Sequence, residues 1–546
     1  MNIKQAEEFQ RLLKLIEAHK QLAKSENDLI SEAIRWYNGE FHGGEKTDGD
    51  TAVAMHSNYS FALLDSMSAS LVPQNPRPHC KPRIPDAQDG ALMTERVLER
   101  DSQATRLDQI CRRAVRWAGL ARRGAGKVVW SETSQRPCAY VLDPRRLWWD
   151  FDVQLDQSGY TIEVTPMKAA LVDRRIKKGE YKAKGRPNKG GVFPKWLQGK
   201  HGTSDEKKRD KLRGLFEWFT VYEIHLIDKG EVWHIAEGSA APLLYSDEHL
   251  YNSVPNNYVC LSFHDNLIDE RGMSDVLLTR NLQIRANELD QLEMEHVLRT
   301  IPFFFFDKRA FDSDDLDAIE AAEPGDMIGV SPTEGRKVSE VFWSSPTPGL
   351  SPDFTRARQN VAAQLQFLTG LADWLRGLPL DTETATDAAL TEMGVRNRMT
   401  LRGAEVDNFQ KAIFEKMLLL RIEKMGPSEV IHVNLKPSDG ATTEVRHGDL
   451  VADLDIEIIA YDPLEYNKPL RIAQLLKLRA QLAGAPYVDW VRLDRLIIGL
   501  HDEDPSLIVS GPEAPADAAI AAEQDLAQLA GAPENGGPLP PEVMPT

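Results

Sequence analysis

The chain has 546 residues, of which 42% are hydrophobic and 27% are charged, and its formal net charge at pH 7 is −18. These proportions are typical of a globular protein and exclude a disordered, collagen-like or membrane-spanning chain. A chain of this length is expected to form about three or four folding units. Residues 1–24 carry charges throughout, so we expect neither a secretory signal peptide nor a membrane partner.

The first half of the chain combines helical and β-rich patterns. Apolar spacing predicts two short amphipathic helices in the first forty residues, around Phe9 and around Ile30, and a third helix from Met93 to Arg123. From Lys127 to Phe263, short runs of β-forming residues are separated by Gly, Pro, Asp and Asn, which predicts a β-rich domain. The expected fold class is therefore α+β.

A basic segment interrupts the β-rich region. Between Arg174 and Arg213 the sequence has 15 Lys or Arg against 4 Asp or Glu, so this segment carries +11 and the rest of the chain −29. Its glycines and weak periodicity predict an exposed insertion, which is either a solvated loop or a docking patch for phosphates or for an acidic protein surface. The candidate patch residues are Arg174, Arg175, Lys177, Lys178, Lys207, Lys208 and Arg209.

Long helices dominate the second half. Ser274 is expected to cap a helix that runs to about Thr300, a second helix begins at Pro352, and a third runs from Thr382 to Met425, roughly 60 Å if straight. Residues 301–350, rich in Asp, Pro and Gly, predict a compact excursion between the first two helices. One narrow apolar seam, which Arg285 interrupts, is expected on the first of these helices, formed by Leu278, Leu282, Leu289, Leu292 and His296.

The end of the chain predicts a strand, two more helices and a tail. Leu454, Ile456 and Ile458 alternate with acidic residues, as in a half-buried strand, and apolar patterns at 470–482 and 488–500 predict helices. Residues 511–546 contain 7 Pro, 6 acidic residues and no Lys or Arg, which predicts a disordered acidic tail.

Common catalytic and metal-binding patterns fail. Gly124 to Lys127 resembles a phosphate loop, but Val128 stands where Ser or Thr is required. Asp150, Asp152 and Asp156 could offer carboxylates to a metal, although the sequence lacks the glycine of an EF-hand loop and a solvated turn is the simpler interpretation. The four cysteines have no C-x-x-C spacing, which favours free thiols. We therefore expect no catalytic residue, cofactor or resident metal.

Four segments, in this order along the chain, resemble the portal (head-to-tail connector) proteins of tailed double-stranded DNA bacteriophages, most closely those of podophages. The first contains a helix that ends in a Pro-Asn-Pro-like turn before a strand, the second starts a long helix, the third matches a T-E-T-A-T-E-like signature, and the fourth lies in the last helices. They are Asn58 to Pro78, Gly272 to Leu289, Thr382 to Asp387 and Tyr487 to Leu500.

The resemblance implies a portal-type α+β subunit with named regions. These regions are an α/β wing (1–270, with the basic insertion 174–213), the first stem helix (271–300), a small α/β clip (301–350), the second stem helix (351–375), a tunnel loop (376–381), a long wing helix (382–426), a helical crown (427–510) and the acidic tail (511–546).

The resemblance also implies a function. About twelve copies would form a ring at one capsid vertex, through which DNA is packaged and ejected and to which the tail attaches. The implied partners are the terminase large subunit, tail adaptor proteins, the major capsid and scaffold proteins, and double-stranded DNA passing without sequence recognition. The site would be the virion, after assembly in the host cytoplasm.

Particular residues follow from this mapping. Trp374, Arg376, Leu378 and Asp381 would lie at the tunnel loop beside DNA, although Trp374 could equally anchor a helix end in apolar packing. Phe342 and Trp343 would lie in the clip and contact terminase or the adaptor, with core packing as the alternative role.

Two other functions stay open. The chain could be a monomeric scaffold that docks an acidic partner through residues 174–213, or a metal-dependent nucleic-acid enzyme that uses Asp150, Asp152 and Asp156. A ring, a salt-sensitive monomer and a metal-dependent nuclease are distinguishable by particle mass, salt dependence and cleavage.

Overall fold

The computed structural model describes residues 3–40, 57–72, 75–84, 87–182, 211–299, 304–306, 342–344, 349–369, 385–432, 442–458 and 475–479, together with a few single positions. The chain divides into two compact units, one formed by Met1–Glu429 with Val445–Ile459 and the other by Val430–Glu444 with Ala460–Thr546. The cores, contacts and candidate sites described below lie in the first unit.

The described part is a mixed α+β structure, which confirms the expected fold class. Its helices are α1 (Ile3–Tyr37), α2 (Tyr59–Leu71), α3 (Gln88–Thr105), α4 (Leu107–Ala121), α5 (Ala169–Lys177), α6 (Asp275–Arg299), α7 (Pro352–Thr369) and α8 (Ala385–Lys424). Its strands are β1 (Pro78–Pro82), β2 (Gly124–Ser131), β3 (Arg136–Leu142), β4 (Leu147–Trp149), β5 (Tyr160–Lys168), β6 (Trp218–Leu226), β7 (Glu231–Ala236), β8 (Leu244–Ser246), β9 (Tyr258–Leu261), β10 (Phe304–Phe306), β11 (Phe342–Ser344), β12 (Ser428–His432), β13 (Thr442–Arg446) and β14 (Leu454–Ile458).

Two antiparallel sheets form the β-rich region that the sequence predicts. One has the strand order β3-β2-β9, and the other is a five-stranded meander in the order β4-β5-β6-β7-β8. The strand predicted at Leu454 is β14, and it pairs with β1, so that Cys80 lies opposite Ile456. Strand β1 begins seven residues after the last residue of α2.

The first forty residues form one helix, so the expectation of two short helices is wrong. Residues 3–37 contain neither Gly nor Pro to end a helix. The buried face continues between the two apolar clusters through small and polar side chains, namely His19, Ala23, Glu26 and Asn27. These side chains are buried because partners from distant parts of the chain contact them. The spacing of apolar residues alone does not predict such contacts.

The helix expected from Met93 to Arg123 is in fact two helices. The chain turns at Arg106, whose φ of 53° lies in the left-handed region, and α4 begins at the next residue. The Asn75 side chain stabilises this break, because its amide nitrogen donates to Ser102 Oγ (2.7 Å) and its carbonyl oxygen accepts from the Asp108 N–H (3.0 Å). A helix break without Gly or Pro therefore depends on a side chain about thirty residues earlier in the sequence.

The long helix α8 is continuous through Gly394 and Gly403 and contributes the centre of the main core. Phe409, Ile413, Phe414 and Met417 are buried against α2, α3, α4 and the β3-β2-β9 sheet. A second cluster, with Trp148, Trp149 and Trp233 buried on the five-stranded sheet, packs against the first half of α1. In the described residues, no helix is both long enough and apolar enough to cross a membrane.

Gly124 to Lys127 lie in strand β2 and form no phosphate loop. Lys127 Nζ is buried between the two sheets, 2.7 Å from Glu163 Oε2 and 2.9 Å from Glu223 Oε1. Arg146 donates to Glu163 Oε1 (3.1 Å), and His225 Nε2 lies 2.8 Å from Glu223 Oε1. The lysine that resembled a nucleotide ligand therefore cross-links the two sheets.

Candidate functional site

Helices α6 and α7 begin where the sequence predicts. Ser274 Oγ accepts from the Leu277 N–H (3.2 Å) and donates to the Leu120 carbonyl (2.6 Å), which caps α6 and attaches it to α4. Pro352 is the first residue of α7, and Ser351 Oγ accepts from the Asp353 N–H (3.3 Å).

The two helices pack against each other as an antiparallel pair. Their apolar contact joins Ala286 on α6 to Val361 and Leu365 on α7. Further along α6, the Arg358 guanidinium reaches Asp290 (3.0 Å) and Glu293 (2.6 Å). Later residues of α6 thus meet earlier residues of α7, which is the geometry of an antiparallel hairpin.

Polar contacts attach the start of this pair to the rest of the first unit. Gln283 Oε1 accepts from the Tyr59 N–H (3.0 Å), while its Nε2 donates to the Ser57 carbonyl (2.7 Å) and to Asn287 Oδ1 (2.8 Å). These bonds complete the N-terminal end of α2. Arg402 of α8 is buried and donates to Asp275 (2.8 Å) at the first turn of α6.

The helix pair leaves one apolar stripe uncovered. Leu282 and Leu289 pack beside α7, whereas Leu278 and Leu292 are about half exposed, at 49% and 50%. The single seam expected from the sequence is therefore two neighbouring stripes, and only one of them faces the chain's own core. The exposed Arg285 lies between these two leucines on the same side of α6, so the uncovered apolar stripe is interrupted by one charge.

Exposed apolar residues continue beyond α6. Phe367 is 73% exposed near the end of α7, and Leu401 is 71% exposed on α8. Leu368 is half exposed, although the sequence places it on the same face as Val361 and Leu365. Exposed apolar side chains are thus present on α7 and α8 as well as on α6.

A pair of three-residue antiparallel strands lies between α6 and α7 in the sequence. Strands β10 and β11 pair so that Phe304 lies opposite Ser344 and Phe306 lies opposite Phe342. The two clip candidates, Phe342 and Trp343, lie on strand β11, and their role in a clip stays a prediction.

The remaining candidate residues are divided between described and undescribed parts of the chain. The tunnel-loop candidates Trp374, Arg376, Leu378 and Asp381 lie outside the described residues, as do Lys207, Lys208 and Arg209. The other patch residues lie on α5 or directly after it, at Arg174, Arg175, Lys177 and Lys178.

The patch residues on α5 are partly engaged. The Arg175 guanidinium contacts Glu180 (3.6 Å) and donates to the Tyr181 hydroxyl (3.0 Å), and Lys178 lies 3.7 Å from Glu180. Basic side chains in the last turn also interact favourably with the helix dipole. The described part of the basic segment is thus an exposed helix end, and a partner for it stays a prediction.

The three aspartates that could bind a metal lie on a turn. Asp150 Oδ1 accepts from the Asp152 N–H (3.3 Å), and Asp156 lies 3.4 Å from Lys416 Nζ. Within the described ranges, no group of three or more His, Cys, Asp or Glu is arranged to hold a metal ion. The four cysteines are free, two of them buried and two partly buried.

One exposed feature was missed by the sequence analysis. In the loop between β9 and α6, Leu267 is completely exposed and Ile268 is 87% exposed. Two adjacent large apolar residues inside the acidic run Asp-Asn-Leu-Ile-Asp-Glu are the sequence signal that could have identified it.

Comparisons with known proteins add little. No protein-family model matches the chain, and no curated protein matches it. Among solved structures, one similar chain comes from a structure titled "Neck of empty GTA particle computed with C6 symmetry". The two chains are 11% identical with a TM-score of 0.38, over 81% of this chain and 89% of the other. A similarity of this size does not establish a shared fold.

Proposed function

We propose that this chain is a portal-type subunit whose copies form a ring-shaped channel at one capsid vertex, for packaging and ejection of DNA and for attachment of the tail. The observation that supports the proposal is the antiparallel pair α6–α7. It brackets the antiparallel strand pair β10–β11, precedes the 40-residue helix α8, and leaves Leu278 and Leu292 half exposed in a single copy. This is the order of elements that the sequence resemblance implies.

The uncovered stripe suits a contact between copies. Leu278 and Leu292 lie fourteen residues apart, so they project from the same side of α6 about four turns apart. Each is about half exposed, and covering it completely stabilises a contact by about 1 kcal/mol. A contact between two different patches of neighbouring copies repeats around a ring and closes if the rotation fits.

The charge distribution suits a channel through which DNA slides. Outside residues 174–213 the chain carries −29. A tight grip on phosphates requires Lys and Arg and the release of counterions, so an acidic wall keeps contacts with DNA weak and independent of sequence. In this proposal Trp374 and the tunnel loop (376–381) line the channel, and Phe342 and Trp343 contact the terminase large subunit or a tail adaptor.

Particle mass tests the proposal directly. About twelve copies of a 61.3 kDa chain give an annular particle of roughly 0.7 MDa in mass photometry and negative-stain images. The double variant Leu278→Asp, Leu292→Asp is expected to remain monomeric. The matched control is Leu92→Asp on α3, where the leucine is 46% exposed and lies outside the stripe. A 61.3 kDa monomer at every concentration contradicts the proposal.

The charge of residues 174–213 favours a second candidate, a monomeric scaffold that docks an acidic partner. This candidate expects a monomer whose partner binding weakens steeply with salt, since contacts between exposed charges are screened. In either case we propose no catalytic activity. Incubation of the protein with DNA and Mg²⁺ is then expected to leave the DNA intact, whereas cleavage that is lost in Asp150→Ala contradicts this part of the proposal.

A further inference from the structure

The loop between β9 and α6 presents an apolar tip with acidic flanks. Leu267 is completely exposed, Ile268 is 87% exposed, and the neighbouring Asp265 and Glu270 are exposed as well. We call residues 265–270 the tip. Two large apolar side chains held in water are unfavourable unless something covers them.

The base of the tip is held in one conformation. The Asp269 N–H donates to the Asn266 carbonyl (3.1 Å), and the Glu270 N–H donates to the Phe151 carbonyl (2.9 Å). Arg271 clamps Asp269 (2.5 Å) and also reaches the buried Glu26 (3.4 Å). A tip ordered before binding loses little conformational entropy when it docks.

A groove elsewhere on the same unit complements the tip. It encloses about 970 Å³ between α1, α2, α4 and β3. Its apolar lining includes Tyr37, Trp117 and Tyr140, and its basic lining comprises Arg112, Arg113 and Arg116 on α4. Arg112 is engaged by the Val72 carbonyl (2.8 Å) and Arg116 by Asp65 (2.8 Å). Arg113 is exposed and has no ion-pair partner among the residues that the structure describes.

We propose that the tip of one copy docks into the groove of the next copy, with Leu267 and Ile268 against the aromatic lining and with Glu270 paired to Arg113. Apolar character and charge both support this occupant, because the tip is apolar with acidic flanks and the groove is aromatic with basic residues. The two apolar side chains of the tip are almost completely exposed in their own copy. Glu26 lies beside the tip and Tyr37 lines the groove. The two residues are eleven positions apart on α1, a rise of roughly 16 Å along the helix, so the tip and the groove are separate patches of one copy.

Two separate patches on one chain give a head-to-tail contact, and this is the type of contact that builds a ring. The inference deepens the proposed function and relies on it for the closure of the ring, whereas the pairing of tip and groove is testable in any assembly of the chain.

Charge reversal tests the pairing in the full-length chain. Glu270→Arg and Arg113→Glu are each expected to weaken self-association at least about tenfold in sedimentation velocity, and the double variant is expected to recover most of that loss. The matched control is Glu248→Arg, a reversal at an exposed acidic residue outside the tip. Single reversals without effect, or a double variant no better than the singles, overturn the inference.

Cross-linking provides a second test, which detects the contact without disrupting the assembly. A photo-reactive amino acid that replaces Ile268 is expected to join two copies, with the linked peptide in α4 or β3. Links only to other regions, or no link between copies, overturn the inference.

The two proposals fail separately. If Leu278→Asp, Leu292→Asp abolishes rings while the reversals at 270 and 113 leave them intact, the tip and groove do not pair but the channel proposal stands. If the reversals rescue each other in open chains or dimers, the pairing stands and the ring fails.

Discussion

Replacing Lys127 by methionine tests whether a buried ion cluster holds the two sheets together. Lys127 lies on β2, and its ammonium is the shared partner of Glu163 on β5 and Glu223 on β6. Methionine keeps most of the volume but removes the charge. The variant leaves two buried carboxylates near each other, with Arg146 still paired to Glu163.

The expected loss is large because a buried charge loses its partner. Breaking a buried pair by removing one member costs about 3–5 kcal/mol. For a cooperative unit of this size, that corresponds to a fall in Tm on the order of 10 °C. Trp148, Trp149 and Trp233 are buried on the five-stranded sheet, so tryptophan fluorescence during thermal unfolding reports on this region.

The loss should depend on pH with a definite sign. Burial alone raises the pKa of Glu223, but the Lys127 ammonium and the His225 hydrogen bond outweigh it and hold the pKa well below its ordinary value. In the natural protein this carboxylate therefore stabilises the fold above its unfolded pKa, and the contribution is lost as the pH falls through the folded pKa. Without Lys127, burial raises the pKa, so the deficit is largest near about pH 7.5 and smaller near about pH 5.5.

The matched control is Lys81→Met, because Lys81 and Glu457 form a 2.5 Å pair with both side chains about half exposed. An exposed pair contributes about 0–1 kcal/mol, so the control variant should unfold close to the natural protein. A Lys127→Met variant that behaves like this control, or whose deficit is the same at both pH values, refutes the reasoning.

Three further predictions concern single positions. Gly403→Ala should raise the free energy of unfolding by about 0.5–1 kcal/mol, because an added Cβ meets nothing within 4 Å in the middle of α8. Gly124→Ala should lower the free energy of unfolding, since its Cβ would overlap the Ala114 carbonyl oxygen. Urea unfolding measures both changes. Burial lowers the pKa of His19 from 6.5 to about 4 despite the nearby Asp150. The free energy of unfolding should therefore fall as the pH drops from 6.5 to about 4, and His19→Gln should make this fall less steep. A midpoint near 6.5 in an NMR titration of His19 would contradict this prediction.

Features encoded by neighbouring residues could be predicted from the sequence. The starts of α6 and α7 follow from Ser274 and Pro352, whose effects on a helix reach only a turn or two. The β-rich character of residues 127–263 follows from the short range of strand and turn preferences.

Features that depend on distant partners could not be predicted. Glu26 is buried in α1 because Arg123 and Arg271 neutralise it, and both lie at least 97 positions away. Burial raises the pKa of Glu26, but these cations, with Arg122, hold it below its ordinary value. In the sequence alone, such a polar residue interrupts the apolar pattern, so the pattern predicts two helices instead of one.

The candidate interface on α6 also depends on a distant part of the chain. The four leucines 278, 282, 289 and 292 fall within an arc of about 80° on α6, since each residue advances the helix by about 100°. Which half of that arc is covered depends on where α7 returns, more than fifty positions later. Because α7 packs beside Leu282 and Leu289, these two leucines are partly buried, whereas Leu278 and Leu292 stay half exposed in the part of the chain that the structure describes. A stripe left over in this way carries information about a second molecule, because apolar surface that no internal element covers is unfavourable in water until a partner covers it.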